Sequence, residues 1–134
     1  MKKVIVLLSF VCTVLLGDEF ETATKAYEAG DYQKAFKHSK IACDNGEYLG
    51  CAGLGFLYVN GQGVEQNYKE AFKYHKLACD NRAYGGCNGL GILYENGQGI
   101  RQNYSIAKEH FGKACDLGAQ EGCDVFADLN QKGY

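Results

Sequence analysis

The chain has 134 residues, one domain's worth, with 14 basic and 16 acidic residues and 7 cysteines. A net charge of −2 without a basic cluster argues against nucleic acid as a partner, because gripping phosphates requires grouped lysine and arginine.

Met1-Lys2-Lys3 is a basic start, and an apolar run from Val4 to Leu16 follows, broken only by Ser9 and Thr13. Thirteen residues are too few to span a bilayer as a helix. The pattern reads as a secretory signal peptide over residues 1–17, with cleavage placed after Gly17. Cys12 is not read as a lipid anchor, since Phe10 and Val11 before it are bulky and the apolar run continues past it. Removing residues 1–17 leaves 12 basic against 16 acidic residues, a net of −4, and no second apolar run. The mature protein, residues 18–134, is therefore expected to be soluble, unattached to membrane, and periplasmic or secreted.

Residues 19–29 have a helical pattern, with Phe20, Ala23, Ala26 and Tyr27 three or four apart. Gly30 stops that helix and Asp31 caps the next, over 32–44. Asn45-Gly46 breaks the chain before a third helix over 48–59. A turn-rich loop, Asn60-Gly61-Gln62-Gly63, then leads to Asn67 and Glu70, a capping box that opens a helix over 68–80. Helices over 84–95, 104–116 and 119–131 complete seven, and Asn103 caps the one over 104–116. No stretch alternates as a strand should.

These helices repeat. Gly53-Leu54-Gly55-Phe56-Leu57-Tyr58 returns 36 residues later as Gly89-Leu90-Gly91-Ile92-Leu93-Tyr94, and the Gly-x-Gly loop and Ala-Cys-Asp endings return with it. Units run over about 20–51, 52–87 and 88–123, with 119–131 as a capping helix. A period in this range signals a repeat array. Short loops make sequential helices antiparallel, and one helical hairpin cannot bury its own apolar stripe, so neighbours must stack. Glycines 53, 55, 89 and 91 weaken their helices by about 1 kcal/mol each relative to alanine. They read as points of close approach, where no side chain fits.

Loss of the leader takes Cys12 with it and leaves six cysteines, an even count that implies disulfides in an exported chain. Six cysteines allow fifteen connectivities. The repeat argues for the local set Cys43–Cys51, Cys79–Cys87 and Cys115–Cys123, each joining the end of one helix to the first turn of the next. Zinc sites favour pairs two to four residues apart, and redox sites favour Cys-x-x-Cys; neither spacing occurs here. No metal or cofactor is expected.

Ala-x-x-Leu-Gly-x-Leu-Tyr, Gly-x-Gly-Val and Tyr-x-x-Ala with a closing Ala-Cys-Asp resemble the Sel-like repeat, a relative of the tetratricopeptide repeat. The paired cysteines resemble those of the Helicobacter cysteine-rich proteins. The resemblance implies an all-α, exported, right-handed α-solenoid with one disulfide per unit. It also implies either an interaction scaffold for peptides or proteins, or a binder of β-lactams or of a cell-wall-derived small molecule with slow β-lactamase activity.

Residue by residue, chemistry is sparse. Ser105-Ile106-Ala107-Lys108 matches the Ser-x-x-Lys nucleophile motif, but Ser-Asp-Asn and Lys-Thr-Gly are absent. His38 and His110 hold equivalent repeat positions, with Tyr74 between them. All three histidines, His75 included, read as partly exposed helix-surface residues. The tyrosines 27, 58 and 94, with 32, 68 and 104, read as core with the hydroxyl at the rim. Positions that differ between units are better recognition candidates: Ala52/Asn88, Phe56/Ile92 and Val59/Glu95. If their helices line a groove, Asn88 and Glu95 face the ligand.

Overall fold

The computed structural model describes residues 19–134; the leader, its cleavage site and Cys12 lie outside the described residues. Seven helices run through them, with no strand among the described residues. They are α1 (residues 19–28), α2 (Tyr32–Asp44), α3 (Tyr48–Asn60), α4 (Tyr68–Asp80), α5 (Tyr84–Asn96), α6 (Tyr104–Asp116) and α7 (Gln120–Gln131). From α2 onward each helix packs on the next, and α3 also packs directly on α5.

The helix starts follow the chain's own capping chemistry. Asp31 accepts a hydrogen bond from the Lys34 amide, Asn67 from those of Lys69 and Glu70, and Asn103 from that of Ile106. Each satisfies backbone donors that the first turn leaves unpaired. Only half of the capping box at Asn67 forms, since the Glu70 carboxylate turns to Lys73 instead.

The loop glycines answer two demands at once. Gly61 and Gly97 end α3 and α5 in the left-handed conformation. Gly63 is also left-handed, with φ +70°, and a Cβ there would sit 2.1 Å from the Tyr32 carbonyl oxygen. The loop thus lies flat over the start of α2, where only glycine fits. Gly99 does the same over Tyr68 at the start of α4.

The core is a column of small residues and leucines. Ala35, Ala71 and Ala107 repeat at one buried position, and Ala42, Ala78 and Ala114 at another. Leu57, Leu93 and Leu129 form a third buried row. Burying one such leucine contributes about 1.5–3 kcal/mol, while the alanines let the helix axes come close.

The helical glycines mark that close approach. A Cβ on Gly55 of α3 or Gly89 of α5 would meet the ring of His75, and a Cβ on Gly91 would meet the ring of Phe111. The expectation for His75 is corrected here: it is only 3% exposed, not a surface residue. It holds the repeat position that Ser39 and Phe111 hold in the neighbouring units, and that position points inward.

Three disulfides staple the stack: Cys43–Cys51, Cys79–Cys87 and Cys115–Cys123. Their Cα atoms lie 4.5–4.6 Å apart, inside the ordinary range. They join α2 to α3, α4 to α5 and α6 to α7. Closing a loop this short contributes about 2–3 kcal/mol in the chain-entropy account.

Candidate functional site

The open side formed by α1, α3 and α5 carries the features that could meet a ligand. Phe56 is 46% exposed and Ile92 39% exposed, at the same repeat position on two helices that touch. Leu77, Tyr84, Phe126 and Tyr134 are also exposed among the described residues, and Phe56 and Ile92 are set apart by sharing one repeat position on neighbouring helices, which makes them a contiguous apolar patch rather than scattered singles. Tyr27 of α1 extends the patch, its ring edge-on to Phe56 at 5.7 Å. Gly85 faces Ala52 and Leu49, which brings α3 and α5 close enough for Phe56 and Ile92 to act together.

The polar candidates of the same stripe fall differently. Asn88 is half-buried with its Oδ1 enclosed and without a hydrogen-bond partner, and that oxygen lies 3.0 Å from where a Cβ on Gly122 of α7 would sit. It is wedged at a helix junction rather than turned to solvent. Glu95 is half-buried, and its backbone carbonyl accepts a hydrogen bond of 2.7 Å from Gln102 Nε2. Gln66 does the same for Val59 at the equivalent place. These glutamines hold the loops to the ends of α3 and α5.

An aromatic ladder runs alongside. Phe36 meets Tyr58 edge-on, Tyr58 stacks on Tyr74 at 5.8 Å, and Tyr94 stacks on His110 at 5.5 Å. All six repeated tyrosines are half-buried. Tyr74 and His110 share one repeat position, and the ring each places there stacks on a tyrosine of the preceding helix. His38 holds the same repeat position and pairs directly with a carboxylate, its Nδ1 2.6 Å from Glu19 Oε2. Burial lowers the pKa of His110, and the Lys113 charge adds to that.

Ser105 is exposed at the start of α6. Lys108 donates its ammonium hydrogen bond to the Tyr134 backbone carbonyl, not to Ser105. No hydrogen bond joins Lys108 to Ser105 in this arrangement. Among the described residues, no group of three or more His, Cys, Asp or Glu side chains is placed to hold a metal ion. Glu47, at the start of α3, is half-buried and was not singled out in the sequence. Its Oε1 is enclosed and unpartnered, and burial, with Glu19's charge second, raises its pKa.

Stacked helical hairpins, a disulfide at each junction and an open face with paired apolar side chains define an α-solenoid repeat protein. The Sel1 repeat family profile matches residues 15–47, 49–82 and 86–118, and the chain belongs to that family. In that frame the bridges Cys43–Cys51 and Cys79–Cys87 each tie one matched stretch to the next. HcpE of Helicobacter pylori, whose name proposes a β-lactamase, is 50% identical over 42 residues, covering 31% of this chain and 12% of HcpE. The chain thus matches only a small part of that relative. The crystal structure of a Sel1 repeat protein from Oxalobacter formigenes superposes with a TM-score of 0.76 at 26% identity, covering 84% of this chain and 46% of that one. Cysteine-rich protein B of Helicobacter pylori superposes with a TM-score of 0.63 at 29% identity, covering 82% of this chain and 93% of that one.

Proposed function

We propose that the protein is an exported interaction scaffold that binds peptides or proteins across the α1, α3 and α5 face. The observation that carries this reading is the exposed pair Phe56 and Ile92, at one repeat position on touching helices. An extended apolar ligand segment would cross both, and the stripe continues to Val59 and Glu95. Export is supported by the three disulfides, which form and persist in oxidising compartments. Residues 1–17 would act as the leader, placing the protein in the periplasm or outside the cell.

The test is selection of binding peptides from a displayed library on oxidised protein, followed by affinity measurement. Replacing Phe56 and Ile92 together with aspartate should weaken a selected peptide at least tenfold, as loss of central apolar anchors does at interfaces. Equal affinity for both proteins would refute the assignment of this face. The names of the Helicobacter relatives suggest β-lactam binding or slow hydrolysis instead. Nitrocefin turnover by the oxidised protein, lost on Ser105→Ala, would establish that reading in place of the first.

A further inference from the structure

One part of the molecule breaks the packing rule the other units obey. Aligning Tyr27 with Tyr58 and Tyr94 places Ala23 where Leu54 and Leu90 stand, and Ala26 where Leu57 and Leu93 stand. On the facing helix, Ser39 stands where His75 and Phe111 stand. Units two and three fill this position with a flat ring pressed against helical glycines. The first unit has the glycine, Gly53, but only a serine hydroxyl against it.

The result is a pocket of about 180 Å³ between α1, α2 and α3, lined by Ala23, Thr24, Ser39, Gly53, Phe56 and Leu57 among others. It opens on the same face as Phe56, with Tyr27 also at its wall. An apolar cavity of about 150 Å³ elsewhere stays dry and takes up benzene, so this size suits one six-membered ring. Ser39 is 4% exposed, and its hydroxyl makes no hydrogen bond among the described residues, so the pocket has one polar group to offer.

We propose that this pocket is a binding site for a single phenyl or phenol ring borne by a ligand, received in the place that His75 and Phe111 fill from within their own units. The fold itself supplies the argument for the occupant, since it accepts a flat ring at both other copies of the site. The proposal deepens the reading of the α1, α3 and α5 face as the binding face, making the pocket its anchor point.

The test is an NMR titration of the purified, oxidised protein with toluene and p-cresol, which needs no peptide partner. Saturable shifts confined to Ala23, Ala35 and Leu57 are expected. Ser39→Phe, which fills the pocket as Phe111 does, should weaken toluene at least tenfold, and so should Ala23→Leu, which acts from α1. Gln33→Ala, on the exposed side of α2, should leave binding unchanged. If Ser39→Phe does not fold, Ala23→Leu decides alone. Absence of saturable shifts, or unchanged toluene binding in the filled variants, overturns the site. N-acetyl-phenylalaninamide separates the sources: binding of both probes points to a peptide side chain, binding of toluene alone to a free small aromatic, and either upholds the pocket. A selected peptide that loses affinity on Phe56/Ile92 replacement but keeps it on Ser39→Phe overturns the pocket while leaving the binding face in place.

Discussion

His75→Phe should remove a large part of the protein's sensitivity to mild acid. His75 is enclosed between Gly55 and Gly89, its Nδ1 has no partner, and burial lowers its pKa from the ordinary 6.5 to about 4. The unfolded chain therefore takes up the proton first as pH falls. Stability from the neutral ring is fully present above pH 6.5 and is lost as pH drops toward 4. A separation of this size corresponds to about 3 kcal/mol in full, of which about 2 kcal/mol is lost by pH 5. Phenylalanine does not titrate, and Phe111 shows that the same repeat position accepts it, against Gly91. The assay is urea denaturation at pH 7.5 and pH 5.0 for both proteins. The wild-type midpoint should fall by roughly 1 M more than that of the variant, given a slope of about 1–3 kcal/mol per molar. His110 and the carboxylates titrate in both proteins and cancel in the difference. Equal losses in the two proteins would refute the claim that a buried neutral histidine holds the centre of the stack.

Three further outcomes follow from the geometry. Replacing Cys79 and Cys87 together with alanine should cost about 2–3 kcal/mol in thermal or urea unfolding, with helicity by circular dichroism retained at low temperature. Gly63→Ala should cost about 2 kcal/mol or more, because the new Cβ meets the Tyr32 carbonyl and the residue is held at positive φ; the equivalent change at Gly46, where nothing lies within 4 Å, should cost less. Arg82 adopts φ +66° at the position that Gly46 and Gly118 hold in the other units, so Arg82→Gly should raise stability by about 0.5–1 kcal/mol, read as a higher melting temperature.

The fold was legible because its signals are local and repeated. The asparagine caps and the glycine stops act within a turn or two, the 36-residue period repeats them unit by unit, and the structure keeps all three. The helix bounds differ by one residue at α1, α3, α5 and α7; α3 and α5 run one residue further to their left-handed glycine caps, and α7 starts one residue later because Ala119 is extended as its N-cap. Glycines 53, 55, 89 and 91 were readable as close approaches, though the approaching groups are side chains, Ser39 and the rings of His75 and Phe111. His75 was misread because it lies one residue along its helix from the half-buried position that His38 and His110 hold in their units, and only the facing glycines show which way it points.

The chain by itself determined an all-helical repeat with cysteines at matching positions, since periodicity, caps and cysteine spacing are properties of neighbours along the backbone. It also marked Phe56 and Ile92 as positions that vary between units. Only the tertiary structure decided that these two side chains stand exposed together, that Asn88 is wedged against α7, and that Lys108 leaves Ser105 for the Tyr134 carbonyl. It alone shows that Ala23 and Ser39, which stand where leucine and a ring stand elsewhere, leave an open pocket between them. Exposure and emptiness depend on what arrives from helices distant in sequence, and no pattern within a single helix carries that information.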